Sequence, residues 1–463
     1  MGLAYSDEDR IATDGTRSSP FFKPDWNYDL QISINYVGST ILCPVDSLKM
    51  KADASSLTCV ETIEDLILHL IESLDADRIL HIPRVLYHRP IPEPEMARIR
   101  EVDPVVGDSN RRSTLTRHLS RANLDYDGID FSNDVARIRW PIPDIPPKVS
   151  IVIPTRNQAR LLSLCLDSIV RVTEYPEYEI ILVDNGTDDR AAMRLLAEWG
   201  KRPNVRVLSA PGPFNYSALN NLAVESSQGS ILCLMNNDIE AIDPGWMREM
   251  VSQALRPGIG AVGAKLLYPD GTLQHGGIIL GVGGSGDTVG VASLAYKGVD
   301  STFIATNPRL RAVQSYCAVT AACLVVRKSI YERVSGFDSK HLAVTYNDVD
   351  FCLRVEEAGY ANLWTPFATL VHHESVSRGR DASSKNRERF ARERGYMLER
   401  WNDKLAPDPA YNPNLSHERG DFNLSPRPRI DPSRPWFDQP LVRPRPRRKV
   451  ADSRWVKGRG PDQ

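Results

Sequence analysis

Three short polar runs each follow an apolar segment, and their side chains are the first candidates for chemistry. The runs are Thr155–Asn157 (TRN), Asp184–Gly186 (DNG) and Asn236–Asp238 (NND). If the apolar segments are parallel strands, their carboxyl ends lie at one edge of a sheet, where ligands bind in such folds. The pattern therefore predicts a single crevice lined with carboxylate and amide groups.

A carboxylate at such a strand end can hold a divalent cation, and Asp238 is the candidate. Hard oxygen ligands suit Mg²⁺, and an ion there would neutralise a diphosphate leaving group. Asp238 could equally cap the turn that follows. Asp184 and Asp188 are also ambiguous, because either could make an Asx-turn instead of contacting a ligand. Of His372 and His373, one could join Asp238 around a metal, or both could be structural.

The segment NDVDFCLR contains a candidate proton acceptor. On a helix, Asp350 and Arg354 are four residues apart and can pair. Asp348 would then lie near the helix start, where the helix dipole favours a carboxylate. Asp348 either serves as a general base or only caps the helix, and the residues leave both interpretations open.

Apolar segments alternate with segments of helical spacing after the proline-rich run PIPDIPP. Val149–Ile153, Glu179–Val183 and Ile231–Met235 are short and mostly apolar, which predicts buried strands. Ala191–Trp199 and Ser217–Ser226 suit helices. Strands that alternate with helices predict an α/β fold with a mostly parallel sheet flanked by helices.

The bulk composition is typical of a globular protein. The chain has 463 residues, 41% hydrophobic and 25% charged, with a net charge of −2, so we expect no nucleic-acid partner. None of the seven cysteines forms a C-x-x-C pair. No apolar run reaches the about 20 residues of a membrane span, and the start lacks a signal-peptide core. We therefore expect reduced thiols and a cytoplasmic location.

Composition divides the chain into five predicted regions. They are a flexible N-terminus at 1–19, a partial folded unit at 20–90, a linker at 91–146, a main domain at 147–400, and a Pro- and Arg-rich C-terminal tail at 401–463. The tail is expected to be disordered or to wrap the surface. Its basic residues could bind anionic lipid headgroups or nucleic acid, but interleaved prolines and aspartates weaken both hypotheses, and a solvated tail is the default expectation.

Seven motifs occur in order between residues 147 and 380. They are VSIVIPTRN from Val149, IILVDNGTD from Ile180, FNYSALNN from Phe214, LMNNDIE from Leu234, GFD from Gly336, NDVDFCLR from Asn347 and HHESVSRG from His372. Each motif alone is weakly specific. The ordered set resembles the family 2 glycosyltransferases, and most closely the bacterial branch that builds surface polysaccharides, including rhamnosyltransferase-like members. The resemblance implies the GT-A fold of the nucleotide-diphospho-sugar transferases.

The resemblance also implies a role for each matching residue. Asp348 matches the catalytic base, and Asp238, in the D-x-D position, would bind a divalent metal, Mn²⁺ or Mg²⁺, with His373. Residues implied to contact the nucleotide sugar are Pro154, Thr155, Asn157, Asp184, Asp188, Asn220, Asn236, Asn237 and Arg354. Weaker candidates for an acceptor contact are His275, Asp350 and His372. The chain departs from the family pattern at Asn236, which replaces an acidic residue, and at Asn347, where glutamate is common.

The implied activity is inverting transfer of a hexosyl or deoxyhexosyl unit. The donor would be a UDP-, dTDP- or GDP-linked sugar, and the acceptor a hydroxyl of a glycan or of a lipid-linked molecule. A catalytically weak or inactive protein that binds glycans or nucleotide sugars is the alternative, supported by Asn236 and Asn347. The presence of Asp238, Asp348 and His373 opposes it. A nucleotidyltransferase would need a glycine-rich basic loop after the first strand, where this chain has one arginine.

A predicted internal repeat relates the front of the chain to the main domain. The matching pairs of segments are 35–44 (NYVGSTILCP) with 316–327, 64–70 (EDLILHL) with 349–355, and 80–88 (LHIPRVLYH) loosely with 364–372. We interpret 20–90 as the acceptor half of a degenerate glycosyltransferase unit. Ile63 falls at the position of Asp348, so this unit is predicted to be non-catalytic. Coincidence between two short segments is the alternative.

Overall fold

The front of the chain folds around a three-stranded sheet. The computed structural model describes residues 2–46, 60–91, 104–284, 290–374, 384–405 and 408–425. We call the part of these residues up to Arg139 the front module. Its elements are β1 (Leu3–Ile11), β2 (Arg17–Phe21), α1 (Tyr28–Ile34), α2 (Ile63–Ile71), β3 (Ile79–Pro90), α3 (Pro104–Arg121), β4 (Gly128–Ser132) and β5 (Val135–Arg139). The strand order is β2-β1-β3, with β1 antiparallel to β2 and parallel to β3.

The prediction of a flexible segment at residues 1–19 is wrong, because β1 is buried along most of its length. Leu3 and Tyr5 pack into the core of the front module beside Trp26. The acidic end of β1 is buried too, and Lys23 donates to the Glu8 carboxylate at 2.9 Å. Charged side chains are rarely buried unless they are paired. The polar composition of this segment therefore suggested exposure, although the segment forms a buried strand.

The prediction of a linker at 91–146 is wrong from residue 104 onward. That part contains α3 and the β4–β5 hairpin, and their apolar residues complete the core of the front module. Leu115 and Leu119 on α3 are fully buried. The arginines that made the segment look solvated pair with α2, as Arg111 does with Glu64 at 3.0 Å. Residues 92–103 lie outside the described residues.

His81 on β3 lies between two carboxylates in the front module. Its Nε2 is 2.8 Å from Asp7 Oδ1, and its Nδ1 is 3.1 Å from Asp25 Oδ1. Burial lowers the pKa of His81, but the negative charge of Asp7 and the hydrogen bonds to both carboxylates outweigh it and raise the pKa to about 9. Both ring nitrogens therefore carry protons at neutral pH and donate to the two carboxylates.

We expect the stability of the front module to fall as the pH rises from about 6.5 to about 9. An unfolded histidine has a pKa near 6.5, and the folded pKa is about 9, so the stabilisation is complete below the first value and lost above the second. The shift corresponds to a loss on the order of 3 kcal/mol. Urea unfolding across this pH range measures it. His81→Gln should flatten the slope, whereas His88→Gln on the same strand should keep it; equal slopes for His81→Gln and the wild type would refute the assignment.

The main domain is built on a ten-stranded sheet. Its elements are β6 (Val149–Thr155), α4 (Ala159–Val172), β7 (Tyr178–Asp184), α5 (Arg190–Trp199), β8 (Val205–Ser209), α6 (Tyr216–Ser226), β9 (Ile231–Met235), β10 (Ile239–Ala241), α7 (Trp246–Leu255), β11 (Ile259–Leu267), β12 (Leu273–His275), β13 (Ile278–Leu280), β14 (Ala292–Leu294), α8 (Ser301–Thr306), β15 (Gln314–Tyr316), β16 (Cys323–Arg327), α9 (Lys328–Arg333), α10 (Asn347–Glu357), β17 (Ala361–His372), α11 (Ser384–Arg400) and α12 (Asn402–Leu405). The strand order is β10-β17-β11-β16-β9-β6-β7-β8, with β12 beside β11 and β15 beside β17.

The sheet is parallel in one half and mixed in the other. β8, β7, β6 and β9 are parallel neighbours, as the alternation of strands and helices predicted. Beyond β9, the pairings of β16 with β9 and with β11, and of β10 with β17, are antiparallel, and only β11 and β17 pair in parallel. The α/β prediction is therefore confirmed, and the second half of the sheet is mixed where the alternation of strands and helices predicted parallel pairing.

The core lies on both faces of this sheet. Neighbouring residues of a strand point to opposite faces, so Val152 packs in one apolar cluster and Ile151 and Ile153 in the other. The same division places Leu232 and Cys233 on opposite faces of β9. None of the helices in the described part of the chain is long and apolar enough to cross a membrane.

Residues 408–425 correct the prediction of a disordered tail for their part of the chain. Tyr411 and Leu415 are buried in the core of the main domain, and the Phe422 ring stacks on Tyr296 with centroids 4.1 Å apart. The Asn412 amide donates to both oxygens of Asp7 at 3.0 Å. This segment therefore joins the front module to the main domain. The prediction for the tail beyond residue 425 lies outside the described residues.

The front module repeats the strand pairing of the second half of the main sheet. Its order β2-β1-β3 has the same parallel and antiparallel pairs as β12-β11-β17. Leu42 makes an antiparallel bridge to Ala4 on β1, as β16 pairs with β11. Helix α2 precedes β3 as α10 precedes β17. These pairings are those that the predicted repeat requires, and the repeat itself stays a prediction.

Candidate active site

The carboxyl ends of β6 and β9 meet at the centre of the sheet, as the polar runs predicted. Pro154 and Thr155 are the last residues of β6, and both are buried. The Asn237 amide donates to Thr155 Oγ1 at 3.0 Å, which joins the polar run after β9 to the end of β6. Asn236 follows β9 directly and is partly exposed. The structure therefore brings these four predicted residues together.

The end of β7 lies next to them and carries a ring of local hydrogen bonds. The Asn157 amide nitrogen donates to Asp188 Oδ1 at 2.8 Å, and its oxygen accepts from the Asp188 backbone at 2.9 Å. Asp184 accepts from the Thr187 N–H at 2.8 Å. It therefore makes a local turn, which was one of the two alternatives predicted for it. Its other oxygen makes no hydrogen bond within the described residues and remains available to a ligand. The strand ends thus form one polar crevice over β9, β6 and β7.

Asp238 and His372 face each other across the antiparallel pair β10–β17. The distance from His372 Nε2 to Asp238 Oδ1 is 3.2 Å, and both residues are buried. The prediction that His373 joins Asp238 through its side chain is wrong: that imidazole turns to Glu240 at 2.9 Å, and only the His373 backbone N–H reaches the Asp238 carbonyl. Consecutive residues of an extended segment point to opposite sides, so only one of the two histidines can face Asp238.

A divalent ion fits this pair only with additional ligands from the substrate. No cluster of three or more carboxylate, imidazole or thiolate ligands occurs among the described residues. Asp238 offers a hard oxygen, His372 offers a nitrogen, and His372 Nδ1 is a buried atom without a hydrogen bond in the described structure. Mg²⁺ is commonly held by one or two protein ligands together with water and substrate phosphates, and the pair matches that pattern.

Asp348 lies in the first turn of α10 and reaches the segment before β16. Its Oδ2 accepts from the Ala321 N–H at 3.2 Å, and its Oδ1 from the Val349 N–H at 2.9 Å. The next residue, Ala322, accepts from the Asn236 N–H at 3.0 Å. One short segment therefore joins Asp348 to the polar run that contains Asp238. Burial raises the pKa of the Asp348 carboxyl above its ordinary value, and the two hydrogen bonds offset only part of that rise.

His275 supports this segment from behind and does not face an acceptor. The residue is fully buried, Nδ1 is 2.8 Å from the Ala264 carbonyl, and the Thr320 N–H donates to Nε2 at 3.2 Å. Nε2 accepts, so Nδ1 carries the proton and donates. Burial lowers the pKa of His275 to about 4, which keeps the ring neutral and Nε2 able to accept. The predicted acceptor role is therefore corrected to one of positioning.

Three further predicted residues are built into the interior instead of the crevice. Asp350 has no exposed surface and accepts from Arg354 Nε at 2.8 Å and Trp401 Nε1 at 3.0 Å, which leaves it unavailable to an acceptor. Arg354 also donates to the Val334 carbonyl, so its predicted contact with the nucleotide sugar is wrong. Asn220 is fully buried on α6 and donates to a backbone carbonyl of its own helix, so it offers the nucleotide no contact.

No sequence pattern indicated Glu393, which holds the segment before α10. It is almost completely buried on the highly charged helix α11. Its two oxygens accept from the Val344 N–H at 3.3 Å and the Thr345 N–H at 2.8 Å. Glu374 was also missed, although its place directly after the two histidines was a usable signal. Its carboxylate accepts from the Tyr268 hydroxyl at 2.9 Å.

Two solved structures share a weak likeness with the chain. The mannosyltransferase PcManGT from Pyrobaculum calidifontis, in complex with GDP-Man and Mn²⁺, is 16% identical with a TM-score of 0.42, over 65% of this chain and 74% of that one. GalNAc-T7 with UDP, GalNAc and Mn²⁺ is 12% identical with a TM-score of 0.44, over 56% of this chain and 50% of that one.

Sequence relatives align over most of the chain. The protein y4gI of Sinorhizobium fredii is 42% identical over 91% of this chain and 46% of its own length. The O-antigen biosynthesis protein RfbC of Myxococcus xanthus is 34% identical over 92% of this chain and 32% of its own length. The chain thus spans less than half the length of either. An N-acetylglucosaminyl-diphospho-decaprenol L-rhamnosyltransferase of Mycobacterium tuberculosis is 26% identical over 52% of this chain and 80% of its own length.

The family assignment rests on the region that contains the polar crevice. Residues 150–278 match the model described as glycosyl transferase family 2. That region includes β6 to β9 and the polar runs at their ends. The relatives named for O-antigen biosynthesis and rhamnosyl transfer agree with the branch that the motifs indicated. Residues 150–278, which include the polar crevice, are therefore similar to glycosyltransferase family 2, the family that the ordered motifs indicated.

Proposed function

We propose that this domain transfers a sugar from a nucleotide-diphosphate sugar to a hydroxyl of a glycan or lipid-linked acceptor, with inversion at the anomeric carbon. The observation that carries the proposal is the link from Asp348 to the Asp238–His372 pair. Ala321 donates to Asp348, and the adjacent Ala322 accepts from Asn236. A carboxylate able to accept a proton therefore lies beside the place proposed for the leaving diphosphate.

The chemistry follows from these positions. The nucleotide would lie over the ends of β6 and β7, next to Thr155 and Asn157, where one oxygen of Asp184 makes no hydrogen bond to the described residues. The acceptor hydroxyl would attack the anomeric carbon from the side opposite the diphosphate while Asp348 takes its proton. A single displacement inverts the configuration and needs no nucleophilic side chain. The raised pKa of Asp348 makes its carboxylate a better proton acceptor than an ordinary aspartate.

Asp238 and His372 would hold the metal ion, Mn²⁺ or Mg²⁺. When bound, such an ion supplies positive charge that stabilises the leaving diphosphate. Asn236 supplies a neutral oxygen where an acidic residue would add charge, so we expect a weaker metal site than a full D-x-D motif gives. The rate should therefore be low at a low concentration of Mn²⁺ or Mg²⁺ and should rise to its full value when the metal is saturating.

The relatives guide the proposed substrates. One is named for O-antigen biosynthesis, and another for rhamnosyl transfer to a lipid diphosphate sugar. We therefore propose a role in bacterial surface polysaccharide synthesis, with a UDP-, dTDP- or GDP-linked donor. A lipid-linked acceptor would bring the protein into peripheral contact with the inner face of the plasma membrane.

Release of nucleotide from a panel of UDP-, dTDP- and GDP-sugars tests the proposal. With Mn²⁺ or Mg²⁺, we expect one donor to release its nucleotide and a chelator to abolish the release. Asp238→Ala should lower the rate about 10²- to 10³-fold, because it removes charge that holds the leaving group. Asp167→Ala, an exposed substitution on α4, should leave the rate unchanged. Absence of both release and binding for every donor would refute the proposal.

A non-catalytic protein that binds nucleotide sugars is the second candidate, and Asn236 favours it. Asn236 removes one acidic ligand at the site where family members concentrate negative charge. Calorimetry with the same donor panel separates the two candidates. Binding without release, in the presence of a broad acceptor mixture, would support this second function.

A further inference from the structure

A polar cluster next to the ends of β11 and β17 has no role in the proposed chemistry. It consists of Tyr268 after β11, Gln274 on β12, Lys297 after β14 and Glu374 after β17, and we call it the Glu374 cluster. Glu374 Oε2 accepts from the Tyr268 hydroxyl at 2.9 Å and from Gln274 Nε2 at 3.3 Å. The Lys297 ammonium lies 5.8 Å from the centre of the Tyr268 ring. Three loops and strand β12 therefore converge around one carboxylate.

The cluster combines four kinds of polar group. Glu374 supplies a carboxylate, Lys297 an ammonium, Tyr268 a phenol and Gln274 a carboxamide. One acidic and one basic side chain leave the cluster with no formal net charge.

One buried polar atom of the cluster lacks a partner. Gln274 is 4% exposed, and its Oε1 has no hydrogen bond within the described residues, whereas its Nε2 is directed at Glu374. A buried oxygen without a donor costs about 1–3 kcal/mol, so an external donor would be favoured there. Glu374 Oε1 also makes no hydrogen bond to the described residues. Two acceptors are therefore available side by side.

The cluster lies beside the reacting groups and away from the nucleotide crevice. Glu374 is two residues beyond His372, which faces Asp238. β11, β12 and β17, which carry or precede the cluster residues, are separated from β6, β7 and β8 by β16 and β9. A ligand in the cluster would therefore lie near the Asp238–His372 pair and on the β17 side of the sheet, away from the nucleotide crevice.

We propose that the Glu374 cluster is the subsite for the acceptor's sugar ring, and that it recognises neighbouring hydroxyls of a neutral pyranose. The proposal rests on the transferase function proposed above. Glu374 and Gln274 would accept from ring hydroxyls, and Lys297 would donate to a ring or hydroxyl oxygen. A phosphate group fits poorly, because the Glu374 carboxylate would repel it. A neutral sugar satisfies the available acceptors without adding charge.

Binding of methyl glycosides to the full chain tests this subsite. The probes are methyl glycosides of the common hexoses, deoxyhexoses and N-acetylhexosamines, detected by saturation-transfer NMR. We expect at least one to bind the wild type and Glu374→Gln to weaken its binding about 10- to 100-fold, as expected for loss of a hydrogen bond to a charged group. Lys297→Gln should weaken it too, and because Lys297 is exposed this variant should fold normally. Glu225→Gln, at an exposed position on α6, is the matched control and should bind like the wild type.

The outcomes separate this proposal from the transferase proposal. Glycoside binding should persist when each UDP-, dTDP- or GDP-sugar is present at saturation, since donor and acceptor occupy different sides. Displacement by a donor would overturn the acceptor assignment and place the donor's sugar in the cluster. Equal binding by the wild type and both cluster variants, or no binding of any glycoside to the wild type, would also overturn it. Cluster-dependent binding without nucleotide release would retain the subsite and refute the transferase function.

Discussion

Asp348→Asn is expected to lower kcat about 10²- to 10⁴-fold, the range typical of a lost general base. Asparagine keeps the size of the side chain and its oxygen can still accept from Ala321, so the fold and donor binding should be preserved. The rate of sugar transfer under saturating donor and acceptor, with the KM of each, measures the effect. We expect the loss in kcat with little change in the KM of the donor.

The pH dependence of the wild type provides an independent check on Asp348. The carboxylate must be deprotonated to accept a proton, so activity falls as the pH falls through its pKa. Because burial raises that pKa, the acidic limb of kcat should lie above the value near 4 of an ordinary aspartate. A variant with nearly full kcat, or with an unchanged acidic limb at reduced rate, would show that another group accepts the proton.

Asp350→Ala is expected to destabilise the main domain by about 3–5 kcal/mol, the usual cost of removing one partner from a buried ion pair. Asp350 is completely buried, accepts from Arg354 at 2.8 Å and Trp401 at 3.0 Å, and lies 3.3 Å from Arg400. Its loss would leave the buried Arg354 guanidinium without a counter-charge and release Trp401 from α10. Urea unfolding followed by tryptophan fluorescence measures the change.

A matched surface pair provides the control for that measurement. Glu357 on the same helix pairs with Lys404 at 2.7 Å, but about half of the Glu357 side chain is exposed. Exposed pairs contribute at most about 1 kcal/mol, so Glu357→Ala should cost little. Similar losses for Asp350→Ala and Glu357→Ala would mean that the interior ion pair does not hold α10 in place.

Asp348 and Asp350 show the limit of what the sequence alone predicts. Both lie in NDVDFCLR, and the spacing of Asp350 and Arg354 predicted their ion pair, which is present at 2.8 Å. The same spacing could not tell whether that pair is exposed or buried. Helix α11 and Trp401 cover Asp350, and both are far along the chain. Which face of α10 is buried depends on those contacts with residues distant in the sequence.

The two histidines are a second example. The sequence placed them at the end of a strand next to a metal candidate, and it favoured His373. The register of β10 on β17 sets Ile239 opposite His372, so Asp238 lies opposite His373 along the backbone. Asp238 belongs to the turn before β10, however, and its side chain meets His372 at 3.2 Å. Nothing in the local sequence specifies the direction that Asp238 takes in that turn.

The front module exposes the limit of composition. Residues 1–19 were interpreted as flexible and 91–146 as a linker because both are polar, but most of β1 is buried and α3 packs Leu115 and Leu119 into the core. The charges of both elements pair with other parts of the front module. Lys23 lies 2.9 Å from Glu8, and Arg117 lies 2.8 Å from Asp65. Composition counts charged residues without their partners, so it overestimated how much of this region faces solvent.

The sequence by itself determined the α/β class, the strands β6, β7 and β9, the polar crevice at their ends and the family, because these depend on short-range patterns of apolar and polar residues. The tertiary structure alone decided which carboxylates are buried, which histidine faces Asp238, that His275 supports Asp348, and that Glu374 gathers Tyr268, Gln274 and Lys297. Each of those outcomes depends on contacts between residues far apart in the chain, and such contacts follow from register and packing that no local pattern encodes.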